Sequence, residues 1–310
     1  MMIVMRFTMY RLMTLLGFIA LFSCTRKEDS MDGICVDDTK MVKVSASLPE
    51  LKSPSYVELS KSQIFVHDYV NPEEENHYGT VQERIDADGI YYFRLPSGTD
   101  KVMFTNMWSK NYGTNYMFNY MSLTKDFDNH SLVFSRSTDL DSRCDLVAGG
   151  ASLSSTPEDG IVKVHLNRLI SYISANLKAV DPNKNELVLN EYISGASFCV
   201  LNQATSISCD IDGNVVISES SADAIQSYSK SGVLCAERPV FPTAQGMTAV
   251  IELRLKHYDN KETVLRKELD YSIERNKHYT FNVTVKCNDT AFGGFDIESI
   301  VAETIDISLN

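Results

Sequence analysis

Basic residues are scarce in this chain. Its 310 residues hold 29 Lys and Arg against 41 Asp and Glu, a formal net charge of −12. An acidic surface of that kind excludes nucleic acid and anionic membranes as natural partners, since both repel it. Long apolar runs are lacking as well. Beyond residue 23 nothing approaches the ~20 apolar residues of a bilayer-spanning helix, so any membrane attachment is by lipid alone. The seven cysteines include no C-x-x-C pair, which removes the close ligand pairs of a structural zinc site. Cys35, Cys144, Cys199, Cys209, Cys235 and Cys287 follow the first 24 residues. In an exported protein they permit disulfides, with Cys199 and Cys209 pairing across a hairpin as one case, and buried thiols fit equally well.

Catalytic signatures are missing too. The chain has no H-E-x-x-H, no G-x-S-x-G elbow, no Walker A loop and no G-x-G-x-x-G after a strand, which removes the usual zincin, hydrolase and nucleotide routes. The six histidines, His67, His77, His130, His165, His257 and His278, are scattered singly. Paired carboxylates can be chosen at will in so acidic a chain and nominate no glycosidase. Asp139, Asp141 and Asp145 have the spacing of an EF-hand loop, but Cys144 stands where its glycine belongs and Gly150 where its bidentate glutamate belongs. No enzyme, no cofactor and no metal is expected.

What the chain does have begins at its first residue. Arg6 and Arg11 precede an apolar run over residues 12–22, close to the ~7–15 residues of an export h-region. Residues 1–23 are expected to be a removable leader, whose loss takes the net charge from −12 to −14 with Arg6 and Arg11 gone. Leu21-Phe22-Ser23-Cys24 resembles the lipobox of bacterial lipoproteins. The resemblance implies that Cys24 becomes the acylated N-terminus, carrying palmitate or a similar chain, on an outer-membrane and surface-exposed lipoprotein. An ordinary secretory signal cut near Ser23 is the alternative. Residues 24–36 are polar and read as a flexible tether, in which Lys27-Glu28-Asp29 resembles the surface-export signal of Bacteroidota lipoproteins.

The remainder reads as many short strands. Over residues 248–255, Ala249, Ile251, Leu253 and Leu255 share one face and Glu252 and Arg254 the other; over 279–285, Tyr279, Phe281, Val283 and Val285 face inward. Period two of this kind marks strands with one buried and one wet face. Asp88-Gly89 is expected to form a type I′ hairpin turn, with Asp259-Asn260 acting alike and Asp212-Gly213 preceding a strand over residues 215–217. Residues 161–177 fit either two strands or one amphipathic helix, and β-branched content favours the strands. A breaker-rich stretch, residues 149–160, reads as a linker between domains 37–153 and 160–310. An all-β meander or Greek-key sandwich follows.

Four segments in order carry a further resemblance. Tyr271-Ser272-Ile273-Glu274-Arg275-Asn276-Lys277-His278-Tyr279 leads into an alternating strand and resembles the closing signature of FimA-type and Mfa-type fimbrillins of Bacteroidota. Leu95-Pro96-Ser97-Gly98 running to Asn106, Val162-Lys163-Val164-His165-Leu166-Asn167-Arg168, and the terminal segment 300–310 resemble three more of their segments. The resemblance implies two transthyretin-like Greek-key β-sandwich domains in tandem. It also implies a surface fimbrium built by strand complementation with other subunits and supporting adhesion to a host or bacterial receptor. In such proteins a first strand is removed by proteolysis and the empty groove takes a strand from another subunit. Here the removable strand is expected over residues 41–48, with Val42, Val44, Ala46 and Leu48 on one face. The donor is expected over 300–309, through Ile305, Ile307 and Leu309. Family members are cut after arginine, yet none stands between Arg26 and Arg84, which makes Lys52 the candidate cleavage residue. The other expectation is a glycan-binding surface lipoprotein that does not polymerise. Trp108, Tyr112 and Tyr116 would supply its stacking faces, unless they only pack a long crossover on its own sandwich.

Overall fold

Among the described residues, alternating apolar residues build three sheets packed in layers, two more packed as a second sandwich, and one short pair, Gln203–Ala204 with Ser221–Ala222. The computed structural model describes residues 39–47, 64–69, 80–81, 83–107, 121–136, 145–154, 158–222, 228–229, 233–289 and 294–305. Among them the architecture is all-β, with one short 3-10 turn at Leu189–Glu191. The first sheet runs Ile161–His165, Thr39–Ser47, Tyr91–Pro96, Arg84–Ile85. It packs on a second sheet ordered Asn167–Arg168, Val147–Ser152, Lys101–Thr105, Phe65–Asp68, Thr80–Val81. Val42, Val44, Phe93, Val102, Phe104 and Val164 meet in the core between the two.

The second sheet is also covered on its other face. Its neighbour there is a third sheet ordered Val215–Ile217, Ser206–Asp210, Ser131–Arg136, Met121–Asp126. Along Lys101–Thr105, Val102 and Phe104 belong to one core and Met103, between them, belongs to the other with Leu132, Phe134 and Ile207. A sheet sandwiched on both sides reads as a continuous apolar run, and Val102, Met103, Phe104 and Thr105 are all buried.

That double cover explains two residues expected in a linker. Gly149 and Gly150 lie inside Val147–Ser152, paired with Phe104 and Met103. They point to opposite faces. A Cβ on Gly149 would collide with the His165–Leu166 backbone, and one on Gly150 with the backbone of Ile211. The glycines let three layers approach closely. Strands from both sides of residues 149–160 share sheets: Ile161–His165 pairs with Thr39–Ser47, and Ser206–Asp210 pairs with Ser131–Arg136.

The second sandwich sets Ser171–Val180, flanked by Val233–Val240 and His278–Asp289, with Gly294–Ile305 beyond, against Ile193–Leu201, Val250–His257 and Glu262–Glu268. The expected inward faces are found: Ala249, Ile251, Leu253 and Leu255 are buried, as are Tyr279, Phe281, Val283 and Val285. Residues 161–177 are strand rather than helix, in Ile161–His165, the short Asn167–Arg168 and the start of Ser171–Val180. The leading strand of each sandwich has the same company. Thr39–Ser47 lies antiparallel to Tyr91–Pro96 and parallel to Ile161–His165; Ser171–Val180 lies antiparallel to Val233–Val240 and parallel to His278–Asp289.

The Asp-Gly turns are wider than expected. Gly89 has φ +77°, but Asp88 is not in the left-handed region, so this is not a type I′ pair. Instead Gly89 N–H donates to the Asp86 carbonyl, Asp86 N–H to the Ile90 carbonyl, and the Asp86 carboxylate accepts from the N–H of Asp88 and of Ile90. Asp210 through Asn214 repeats the pattern around Gly213, and Asp181 through Asn185 repeats it around Lys184. An aspartate that turns back onto its own loop holds the single left-handed residue in place.

One charge on the supposedly wet face is buried. Glu252 is 1% exposed, between Arg254 Nε at 2.7 Å and Arg266 Nε at 2.7 Å, with Cys199 Sγ 3.9 Å away. Burial works to raise its pKa, but the hydrogen bonds from Arg254 and Arg266 outweigh it and hold the carboxyl below its ordinary value. A lowered folded-state pKa means stability that is present above the unfolded value of ~4.3 and lost as pH falls through the folded value. Glu252→Gln should therefore lower stability at pH 7 by about 2 kcal/mol, the scale of hydrogen bonds to a buried charge. The gap to the native protein should be smaller at pH 3, below the unfolded value. Urea midpoints at the two pH values check this, and an equal gap at both would refute it.

Candidate functional site

Thr39–Ser47 owes its place to four alternating residues. Met41 and Lys43 face outward and are exposed, while Val42 and Val44 face inward at 7% and 1% exposure. Burying two valines is worth roughly 1.5–3 kcal/mol each, and the strand is paired along both edges. Thr39 to Val44 pair with Pro96 to Tyr91, and Lys43 to Ser47 pair with Ile161 to His165. Side chains pin both ends. Lys40 Nζ donates to the Thr99 carbonyl at 2.7 Å, and Ser47 Oγ lies 3.2 Å from His165 Nδ1. The Ser47 carbonyl accepts the N–H of Leu166 at 2.8 Å.

The strand is thus a central one supplied by the start of the described chain. Tyr91, Phe93, Val162 and Val164 flank it on the neighbouring strands, and Val102 and Phe104 of the facing sheet complete the apolar floor. A seat of this form, with two rows of backbone donors and acceptors over an apolar floor, holds any extended segment with small apolar residues at every second place.

Behind the seat, three segments singled out in the sequence converge on a buried polar clasp. Arg168 and Asp145 are 1% and 0% exposed and meet fork to fork, Nε to Oδ1 at 2.8 Å and Nη2 to Oδ2 at 2.9 Å. Arg168 Nη1 also reaches Asn276 Oδ1 at 3.4 Å. The Asn106 carboxamide donates to the Asp145 carbonyl at 2.6 Å and accepts the Val147 N–H at 3.0 Å. Asn276 sits at φ +57°, a left-handed conformation Asn tolerates, and its N–H donates to Ile170 at 2.8 Å. The turn aims Tyr279 into the core, where it is 3% exposed and its hydroxyl accepts the Glu274 N–H. Asn106, Arg168 and the Arg275-Asn276 step, far apart along the chain, meet at one buried site.

Asp145 was visible in the sequence only as a rejected calcium ligand. The signal for its role was a lone acid ahead of an apolar strand, matched by a lone arginine between Leu166 and Leu169.

Of the other candidates, Ala46 is half-buried in the same strand as Val42 and Val44. Ile305 ends Gly294–Ile305, opposite His278, in the second sandwich. Cys24, Leu48, Lys52, Trp108, Tyr112, Tyr116, Ile307 and Leu309 lie outside the described residues. Cys199 and Cys209 are not joined; both are buried and outside any disulfide, as is Cys287. Burial pushes the Cys209 thiol up to about 12, which keeps it protonated and inert. Among the described residues no group of three or more His, Cys, Asp or Glu could hold a metal ion. No helix among them is long and apolar enough to cross a membrane.

Fold and site together define a layered all-β protein whose first strand is an internal member of its sheet. No family model matches the chain, and no curated protein matches it. Solved structures similar to it include a proposed cell adhesion protein from Bacteroides ovatus, at TM-score 0.48 and 11% identity over 86% of this chain and 96% of that one. Another, from Parabacteroides distasonis, has TM-score 0.46 and 9% identity over 86% and 96%. The fimbrial anchor protein Mfa2 from Porphyromonas gingivalis has TM-score 0.43 and 12% identity over 85% and 97%.

Proposed function

We propose that this chain is a structural or accessory subunit of a surface fimbrium, without enzymatic activity, exported as a lipoprotein on Cys24 and joined to other subunits by strand donation. The observation that carries the reading is the first strand. It is paired on both edges, and its inward residues are the small Val42 and Val44. Its loss would unpair Tyr91–Pro96 and Ile161–His165 along one groove. Exposed edges beside an apolar floor are the strongest natural invitation to a foreign strand, and a strand that repairs both leaves slowly. The fimbrillin-like segments support the same reading, because their residues Asn106, Arg168 and Asn276 build the scaffold that holds the groove.

N-terminal mass spectrometry of the protein taken from its cell surface tests this. An N-terminus beyond Ser47, with SDS-resistant multimers in the same fraction, is the expected result for a polymerising subunit. An acylated Cys24 with the strand retained makes it an anchoring subunit, and SDS-sensitive monomers alone in either case would overturn the fimbrial reading.

A further inference from the structure

Residues 161–168 form one continuous run that serves two sheets. Ile161–His165 is the outer member of the first sheet, and its strand partner there is Thr39–Ser47. The next residue, Leu166, gives its N–H to Ser47. Asn167–Arg168 then crosses to the second sheet, pairing with Ala148 and Val147, and Arg168 enters the clasp with Asp145 and Asn276. Two residues later Ser171–Val180 opens the second sandwich. The run has no slack. His165 and Leu166 lie against Gly149 so closely that no side chain fits there.

We propose that the first strand is the tensioning strap of the joint between the sandwiches: occupation of its seat holds residues 161–166 and thereby the Arg168 clasp, and vacating the seat loosens the joint. The inference rests on the exchangeable first strand of the proposed function and adds a consequence to it. A subunit with an empty seat is flexible at the joint, and a donated strand that pairs with Ile161–His165 makes it stiff again. Stiffening then follows assembly and does not precede it. Groove and clasp share one short piece of chain, and local opening propagates along such contiguous hydrogen-bonded units.

Four amides report the chain of events, and each has a known acceptor: Leu166 to Ser47, Leu169 to Leu146, Tyr172 to Lys277 and Asn276 to Ile170. Hydrogen exchange is measured on the full chain carrying a specific protease site between Ser47 and Ile64, before and after the cut strand is displaced in dilute urea. Val44→Asp in the uncut chain, which puts a charge at a 1% exposed position, supplies the same measurement without cleavage. All four amides should exchange about tenfold faster or more, and the free peptide of residues 39–47 should restore their protection. The hairpin amides of Val250–His257 should not change. Faster exchange at Leu166 alone, with Leu169, Tyr172 and Asn276 as in the native chain, would overturn the proposal. Multimer formation on the same cut sample judges the fimbrial reading separately, since coupled exchange needs only one chain.

Discussion

Arg168→Ala should be among the most destabilising single substitutions in the molecule, at about 3–5 kcal/mol, the cost of leaving one member of a buried pair uncompensated. The Asp145 carboxylate would keep 0% exposure and lose the guanidinium fork at 2.8 and 2.9 Å. It could not recover water without opening the second sheet, because Leu146, Val147 and Ala148, next to it, are fully buried. At roughly 2–4 °C per kcal/mol for a unit of this size, the melting temperature should fall by about 10 °C. Arg168→Lys keeps the charge and loses the fork, and should fall between native and alanine. The double variant Arg168→Met with Asp145→Leu removes the orphan charge and should regain much of the loss. Thermal melts followed by circular dichroism decide the matter. A fall under about 1 kcal/mol for Arg168→Ala would mean that water reaches Asp145 and that the clasp is no structural centre.

Much of this fold is legible in the residues, and what is not has a common cause. Alternation announced the strands around Ile251 and Phe281 and the inward pair Val42 and Val44, because burial on one face leaves a period of two. It could not say what covers the other face. Glu252 follows the outward phase and is nevertheless buried, since Arg254 and Arg266 fold over it. Gly149 and Gly150 looked like a linker because glycine usually breaks strands, and only the third layer, built from Met121, Phe134 and Ile207, gives them a reason to be in one. The clasp was hidden by distance along the chain. Arg168 is 108 residues from Asn276, and Asn106 is 39 from Asp145. Asn106, Arg168 and Asn276 were each recognisable as part of a family-like segment and Asp145 was not, and their meeting is a property of the sheets. The first strand was legible as a strand; its double pairing, one edge antiparallel and the other parallel, was not, because pairing partners leave no local trace.

Gly150→Ala should cost at least about 3 kcal/mol, the upper range for overpacking a close-packed interior, and the reason lies in what surrounds it. A flexible side chain can move aside for a methyl group, but the obstruction here is main chain. The new Cβ would stand 2.8 Å from the Ile211 carbonyl carbon, with the Ile211 Cα and oxygen nearer still. Gly149→Ala meets His165 and Leu166 main chain on the opposite face, with carbon distances of 3.1 and 3.2 Å. To admit either methyl, whole sheets must separate, which opens a gap along the Met103 core in one case and the Val164 core in the other. Gly98→Ala is the matching control, since its Cβ would meet nothing within 4 Å and its φ is ordinary. That change should be neutral or stabilising by about 0.4–1 kcal/mol through the unfolded chain. Urea unfolding of the three variants should therefore split them widely. Similar midpoints for Gly150→Ala and Gly98→Ala would mean that residues 149–150 are a loose connection after all. The wide split would show that the two glycines stand where main chain packs on main chain, Gly149 on His165 and Leu166 and Gly150 on Ile211.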